Sequence, residues 1–75
     1  MNKARRQLIR EVVQDISSLS SRLESIKDDE DSARDSMPEN LQSSEKYEES
    51  ERCSDIIGDA ISELNDIGET LEEIT

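Results

Sequence analysis

Hydrophobic side chains recur at heptad spacing in two separate stretches of this chain. In the first, Ile9, Val12, Ile16, Leu19, Leu23 and Ile26 step by three or four residues; in the second, Cys53, Ile57, Ala60, Leu64, Ile67, Leu71 and Ile74 do the same. Side chains three and four apart share one face of an α-helix, so each stretch predicts a helix with a single apolar stripe. The pattern places helices over about 3–35 and about 44–74, joined by a polar connector over about 36–43. The whole of 1–75 is thus expected to be one all-α domain, an antiparallel two-helix hairpin.

Local signals agree with those limits. Asn2 is placed to cap the free amides of the first helix, and Ser43 or Ser44 those of the second. Pro38, lacking an amide hydrogen and restricting Met37 before it, ends the first helix. Met37 and Leu41 are expected to plug the hairpin tip. Along the first helix, Ile9, Ile16, Leu23, Glu30 and Met37 form one predicted seam column, and Val12, Leu19, Ile26 and Ala33 the other. Glu30 interrupts the first column where Asp28, Asp29 and Asp31 crowd around it, which predicts a weakened helix there. Folding the chain at the connector sets Ile26 near Cys53, Leu23 near Ile56 and Ile57, Ile16 near Leu64, and Ile9 near Leu71.

Beyond the two columns the stripes widen, with Leu8 and Val13 beside the first and Ile56 and Ile61 beside the second. A two-helix contact uses only a narrow seam, so the extra width predicts further helices alongside. Leu8, Val12, Val13, Ile16, Ile56, Ile57, Ile61 and Leu64 are the expected oligomer interface. A dimer forming a four-helix bundle is the simplest assembly, with a higher helical oligomer as the alternative. Size points the same way, since a 75-residue chain that is 31% hydrophobic and 39% charged buries too little to be firmly stable as a lone hairpin.

Charge changes the picture of partners. The net charge of −11 opposes direct binding to nucleic acid and to anionic membranes. The chain has no apolar run of membrane-spanning length and no signal-peptide pattern, so a cytoplasmic location is expected. The charges are also segregated. Lys3, Arg5, Arg6 and Arg10 precede the first acid, Glu11, whereas every charged residue after Cys53 is acidic. An antiparallel hairpin brings these clusters to the same end. Glu30 with Arg34 and Glu48 with Arg52 have the spacing of helix-surface ion pairs.

Little in the sequence carries reaction chemistry. With no histidine in the chain, zinc pairs, di-metal motifs and His-based triads are excluded, and no enzyme activity or cofactor is expected. Asp28 to Glu39 partly echoes a calcium loop, but Ala33 stands where the obligatory glycine belongs. The lone Cys53 lies in the apolar register and reads as a small hydrophobe. What remains is binding. Arg5, Arg6 and Arg10 can hold phosphate oxygens, and Tyr47 can stack on a base, which makes these four the candidate ligand-binding residues.

The connector Met37-Pro38-Glu39-Asn40-Leu41-Gln42-x-Ser44-Glu45, together with the opening Lys3-Ala4-Arg5-Arg6, resembles a group of short acidic helical-hairpin proteins encoded by bacteriophages and related mobile elements. The resemblance implies a phage accessory protein acting in the host cytoplasm, in host takeover or counter-defence. It assigns no individual residues. The leading expectation is therefore a small oligomeric helical interaction protein that binds and inhibits or sequesters a host molecule, whether host protein or nucleotide. The alternatives are a nucleotide sponge built on clustered arginines, an acidic mimic of nucleic acid, and a structural or scaffold component.

Overall fold

The computed structural model describes residues 1–42 and 44–75, and it is an antiparallel pair of long helices. Helix α1 spans Lys3–Asp35 and α2 spans Glu45–Glu72, and the hairpin measures 60 × 15 × 11 Å. The Asn2 side chain accepts the Arg5 amide at 2.8 Å, and Ser44 accepts that of Tyr47 at 3.3 Å, so each helix begins with a capped first turn. Ser43, the alternative cap, lies outside the described residues. Ser44 also donates its hydroxyl to the Leu41 carbonyl at 2.6 Å, tying the cap to the connector.

Between the helices the chain reverses through a short 3₁₀ turn at Glu39–Leu41, entered from Pro38. Met37 is half-buried at the tip, but Leu41 is exposed and does not plug it. Helix α1 runs unbroken through Glu30 to Asp35. Glu30 is held in the seam by the Ser50 hydroxyl, which donates to its Oε2 at 2.6 Å. A carboxylate with a partner interrupts the apolar column without breaking the helix.

The contacts between the helices correct the predicted register. Arg10 reaches the Thr75 main-chain oxygen, Ile16 lies against Gly68, and Arg34 bonds Ser50 and Ser54. Ile16 is therefore level with Gly68 and not with Leu64, a shift of about one helical turn from the tight fold-back. By heptad spacing the same shift puts Leu23 level with Ile61. The cause lies in the connector: Met37 continues the seam before the chain turns at Glu39–Leu41, which moves the midpoint of the hairpin toward Gln42.

One seam column in each helix is also corrected. The inward positions of α1 are Ile9, Val13, Ile16, Ser20, Leu23, Lys27, Glu30 and Arg34, all buried or half-buried, whereas Val12, Leu19, Ile26 and Ala33 are exposed. In α2 the inward line is Tyr47, Ser50, Ser54, Ile57, Ile61, Leu64, Gly68 and Leu71. With these positions as heptad a and d, the d column carries Ile9, Ile16, Leu23, Ile57, Leu64 and Leu71, while the a column is mostly small or polar: Ser20, Lys27, Arg34, Ser54 and Gly68. Val13 and Ile61, expected as flanking residues, are the apolar members of this a column. Among the described residues the buried polar side chains are Ser20, Ser50 and Ser54, and no hydrophobic side chain is fully buried.

The two helix-interior glycines are not sterically demanded. A methyl group at Gly58 would lie 3.6 Å from Lys27 Cε, and one at Gly68 would lie 3.7 Å from Ile16 Cγ2, both ordinary contacts. Gly58→Ala and Gly68→Ala should each stabilise the protein by up to about 1 kcal/mol through helix propensity. Thermal melts followed by circular dichroism will show this as a raised midpoint. A lowered midpoint would mean that another backbone packs on that glycine.

Candidate interaction face

The heptad frame sorts the remaining apolar side chains onto one side of the hairpin. Val12, Leu19 and Ile26 of α1, Cys53, Ala60 and Ile67 of α2, and Ile74 in the turn just after it all occupy position g, and Leu8 and Ile56 occupy position c beside it. In an antiparallel pair the g positions of both helices flank the same edge of the seam, next to the d column. The apolar d and g columns together thus form one continuous oily face. Leu19 is 45% exposed and Ile67 50%. A shallow groove on this side is lined by Leu19, Arg22, Leu23, Ile26 and Leu64, which brings apolar groups of both helices together.

The opposite side has the reverse character. There the Ser20 hydroxyl donates to Asn65 Oδ1 at 2.9 Å, and a depression is lined by Val13, Ser17, Asn65, Gly68, Glu69 and neighbours. Of the expected interface residues, Leu8, Val12 and Ile56 lie on the exposed apolar face. Ile16, Ile57 and Leu64 border it from the d column, half-buried, while Val13 and Ile61 close the seam from the polar side. Leu19, Ile26, Ile67 and Ile74, assigned to the seam by periodicity alone, are instead part of the open face.

Near the tip the seam is held by charge. Arg34 donates from Nη2 to Asp31 Oδ1 at 2.8 Å and from Nη1 to Ser54 and Ser50 at 2.9 and 3.2 Å. Ser54 donates to Asp31 Oδ1 at 2.6 Å, and Lys27 donates to Asp31 Oδ2 at 2.9 Å. No buried side-chain polar atom among the described residues lacks a partner. The Lys27 ammonium, with Ser54 and Arg34 after it, holds the Asp31 carboxyl well below its usual range. Asp31 in turn raises the pKa of Lys27 and of Arg34. Arg34 thus pairs with Asp31, not Glu30, and no ion pair joins Glu48 and Arg52 among the described residues.

The four candidate ligand-binding residues are not gathered in one place. Arg5, Arg6 and Arg10 lie at the open end of the hairpin, and Tyr47 is half-buried in the first turn of α2 at the tip. Arg10 is engaged by the Thr75 main-chain oxygen at 2.8 Å and by Gln7, beside Glu72, while Arg5 and Arg6 are exposed. A single hairpin 60 Å long therefore cannot bring Tyr47 and the arginines onto one ligand. Cys53 is free and half-buried. Residues 28–35 are helical, so the calcium-loop echo has no loop to fold. Among the described residues no cluster of acids and cysteine is arranged to hold a metal ion, and no helix is long and apolar enough to cross a membrane.

No protein-family model matches this chain, and neither the curated proteins nor the solved structures yield a match.

Asp31 provides a test of the tip network. Its native pKa lies below the ordinary 3.8, so its contribution is fully present above that value and is lost as pH falls through the lower native one. Asp31→Asn should lower the thermal midpoint relative to the parent equally at pH 7 and pH 5, and the gap should narrow below about pH 4. A gap independent of pH would mean that the carboxylate's charge is not what Lys27 and Arg34 require.

Proposed function

We propose that this protein is a small homo-oligomeric helical interaction protein, whose hairpins assemble through the apolar face and whose charged exterior binds and blocks or sequesters another molecule. The observation that carries the reading is the direction of the apolar arc. In each helix it is centred between d and g, roughly 50° away from the a–d line that faces the other helix of the hairpin. A helix in an isolated pair points its apolar stripe at its mate. A helix in a square four-helix bundle points it about 45° to one side, at the shared centre. Both helices are turned toward the same side, as a bundle requires. The resemblance to phage-encoded hairpins sets the proposed activity in counter-defence within the host cytoplasm.

One specific observation favours a nucleotide as the sequestered molecule: Arg5 and Arg6 are exposed and engage no carboxylate among the described residues. Assembly would then multiply these arginines around a phosphorylated ligand. Thermal melts in the presence of mono-, di- and cyclic nucleotides examine this branch, because a ligand of the folded state must raise the midpoint. No shift with any of them would leave a host protein as the target.

Assembly itself is tested by sedimentation at micromolar concentration together with melts over a concentration series. The expected result is a dimer or higher oligomer whose midpoint rises with concentration. Burying one leucine contributes about 1.5–3 kcal/mol, so Leu19→Asp, which adds a charge as well, should weaken association by at least about a hundredfold. A compact, fully helical monomer at that concentration would overturn the proposal.

A further inference from the structure

Resting on the oligomer reading above, we infer that the occupant of the apolar face is a second copy of this chain, lying with its tip at the same end, so that α1 of each copy packs on α2 of the other. The two-fold axis then runs along the length of the hairpins. Register is the first argument. Such an axis keeps every residue at its own height, so Val12 lies within about half a turn of Ile74 of the partner subunit, Leu19 of the partner's Ile67, and Ile26 of the partner's Ala60, apolar beside apolar throughout. With the tips at opposite ends and α2 against α2, Glu63 at position c falls instead against the partner's Ile67.

Charge is the second argument, and it separates the two orientations more sharply. The first part of α1 carries Lys3, Arg5, Arg6, Arg10, Arg22 and Lys27 against only Glu11, Asp15 and Glu24, whereas α2 beyond Cys53 carries acids alone. Packing α1 on α2 of the second copy sets opposite charges side by side along the apolar half; the reversed orientation sets two acidic helices together. Within one hairpin Arg22 makes no ion pair among the described residues, and neither does Glu63. Both sit at position c, on the rim of the apolar face, and in this arrangement Arg22 is level with Glu63 of the partner subunit. The pair forms twice, once on each side of the axis. At the tip, Asp28, Asp31, Asp35 and Glu48 occupy positions b and e, which point away from the second copy; Asp29 and Glu49 sit at position c on the rim, but they fall level with the partner's Ile56 and the partner's Ser36, not with each other, and Glu30 at d is bonded by Ser50.

The decisive measurement is a distance. In a Cys53→Ser background, Asn40→Cys at the exposed tip takes a nitroxide label, and pulsed dipolar spectroscopy on the dimer reads the separation of the two tips. Tips together give a distance under about 30 Å, while the reversed orientation about Leu19 gives roughly 60 Å at 1.5 Å per residue. The longer distance overturns this inference and leaves the oligomer reading standing. A monomer by sedimentation, or a monomer that pairs only with a foreign helix, overturns both. A trimer or larger species overturns the two-copy arrangement alone. Charge reversal gives a second readout: Arg22→Glu or Glu63→Arg alone should raise the dimer dissociation constant about fivefold to tenfold, and the double variant should restore it. Equal weakening by the double variant would place Arg22 and Glu63 apart and overturn the arrangement.

Discussion

Two helices side by side have only one line of contact, and that limit governs the rest of this structure. Each helix can turn a strip of residues toward the other, but only side chains as small as Ser20, Ser50 and Ser54 are enclosed between them. Among the described residues no hydrophobic side chain is fully buried for this reason, although the chain holds enough isoleucine and leucine for two apolar columns per helix. What decides the alignment of the pair is a set of directional bonds: Arg34 to Asp31, Ser50 and Ser54 near the tip, Ser20 to Asn65 midway, and Arg10 to the Thr75 main chain at the open end. Hydrogen bonds of this kind tolerate little displacement. An oily seam, by contrast, can slide by a turn at small cost. Polar groups therefore set the height of one helix against the other, and the apolar groups are left to favour closeness.

Helix limits, caps and the antiparallel course were legible in the chain, because capping by Asn2 and Ser44 and termination before Pro38 depend on neighbours in sequence. The inward face was less legible. Periodicity finds the most hydrophobic pair of columns, which are d and g, whereas the helices meet along a and d. The a column escaped notice because Ser20, Lys27, Arg34 and Ser54 look like ordinary solvent residues until the partner groups across the seam are known. Their signal is long-range, and a one-dimensional pattern does not contain it.

The misassigned column is informative for the same reason. Had the chain been shaped only for its own hairpin, the richest stripe and the contact line would coincide. Their angular separation leaves the richer stripe open to solvent along one side of the hairpin. Part of the candidate surface was thus visible early, through Leu8, Val12 and Ile56, and the residues that complete it, Leu19, Ile26, Ile67 and Ile74, were visible too but credited to the wrong neighbour. The arginine cluster and Tyr47 differ: helices over about 3–35 and 44–74 already set them at opposite ends of the hairpin, and the 60 Å length keeps them from sharing a ligand.

A slab only one helix deep has no interior shared by its two broad sides. Residues at b and f, such as Ser18, Ser25, Arg52, Asp55 and Asp66, touch neither the seam nor the oily face. Changes there alter what the outside presents without disturbing the contact between the two helices. A chain built this way can vary its outward chemistry while its hairpin stays fixed.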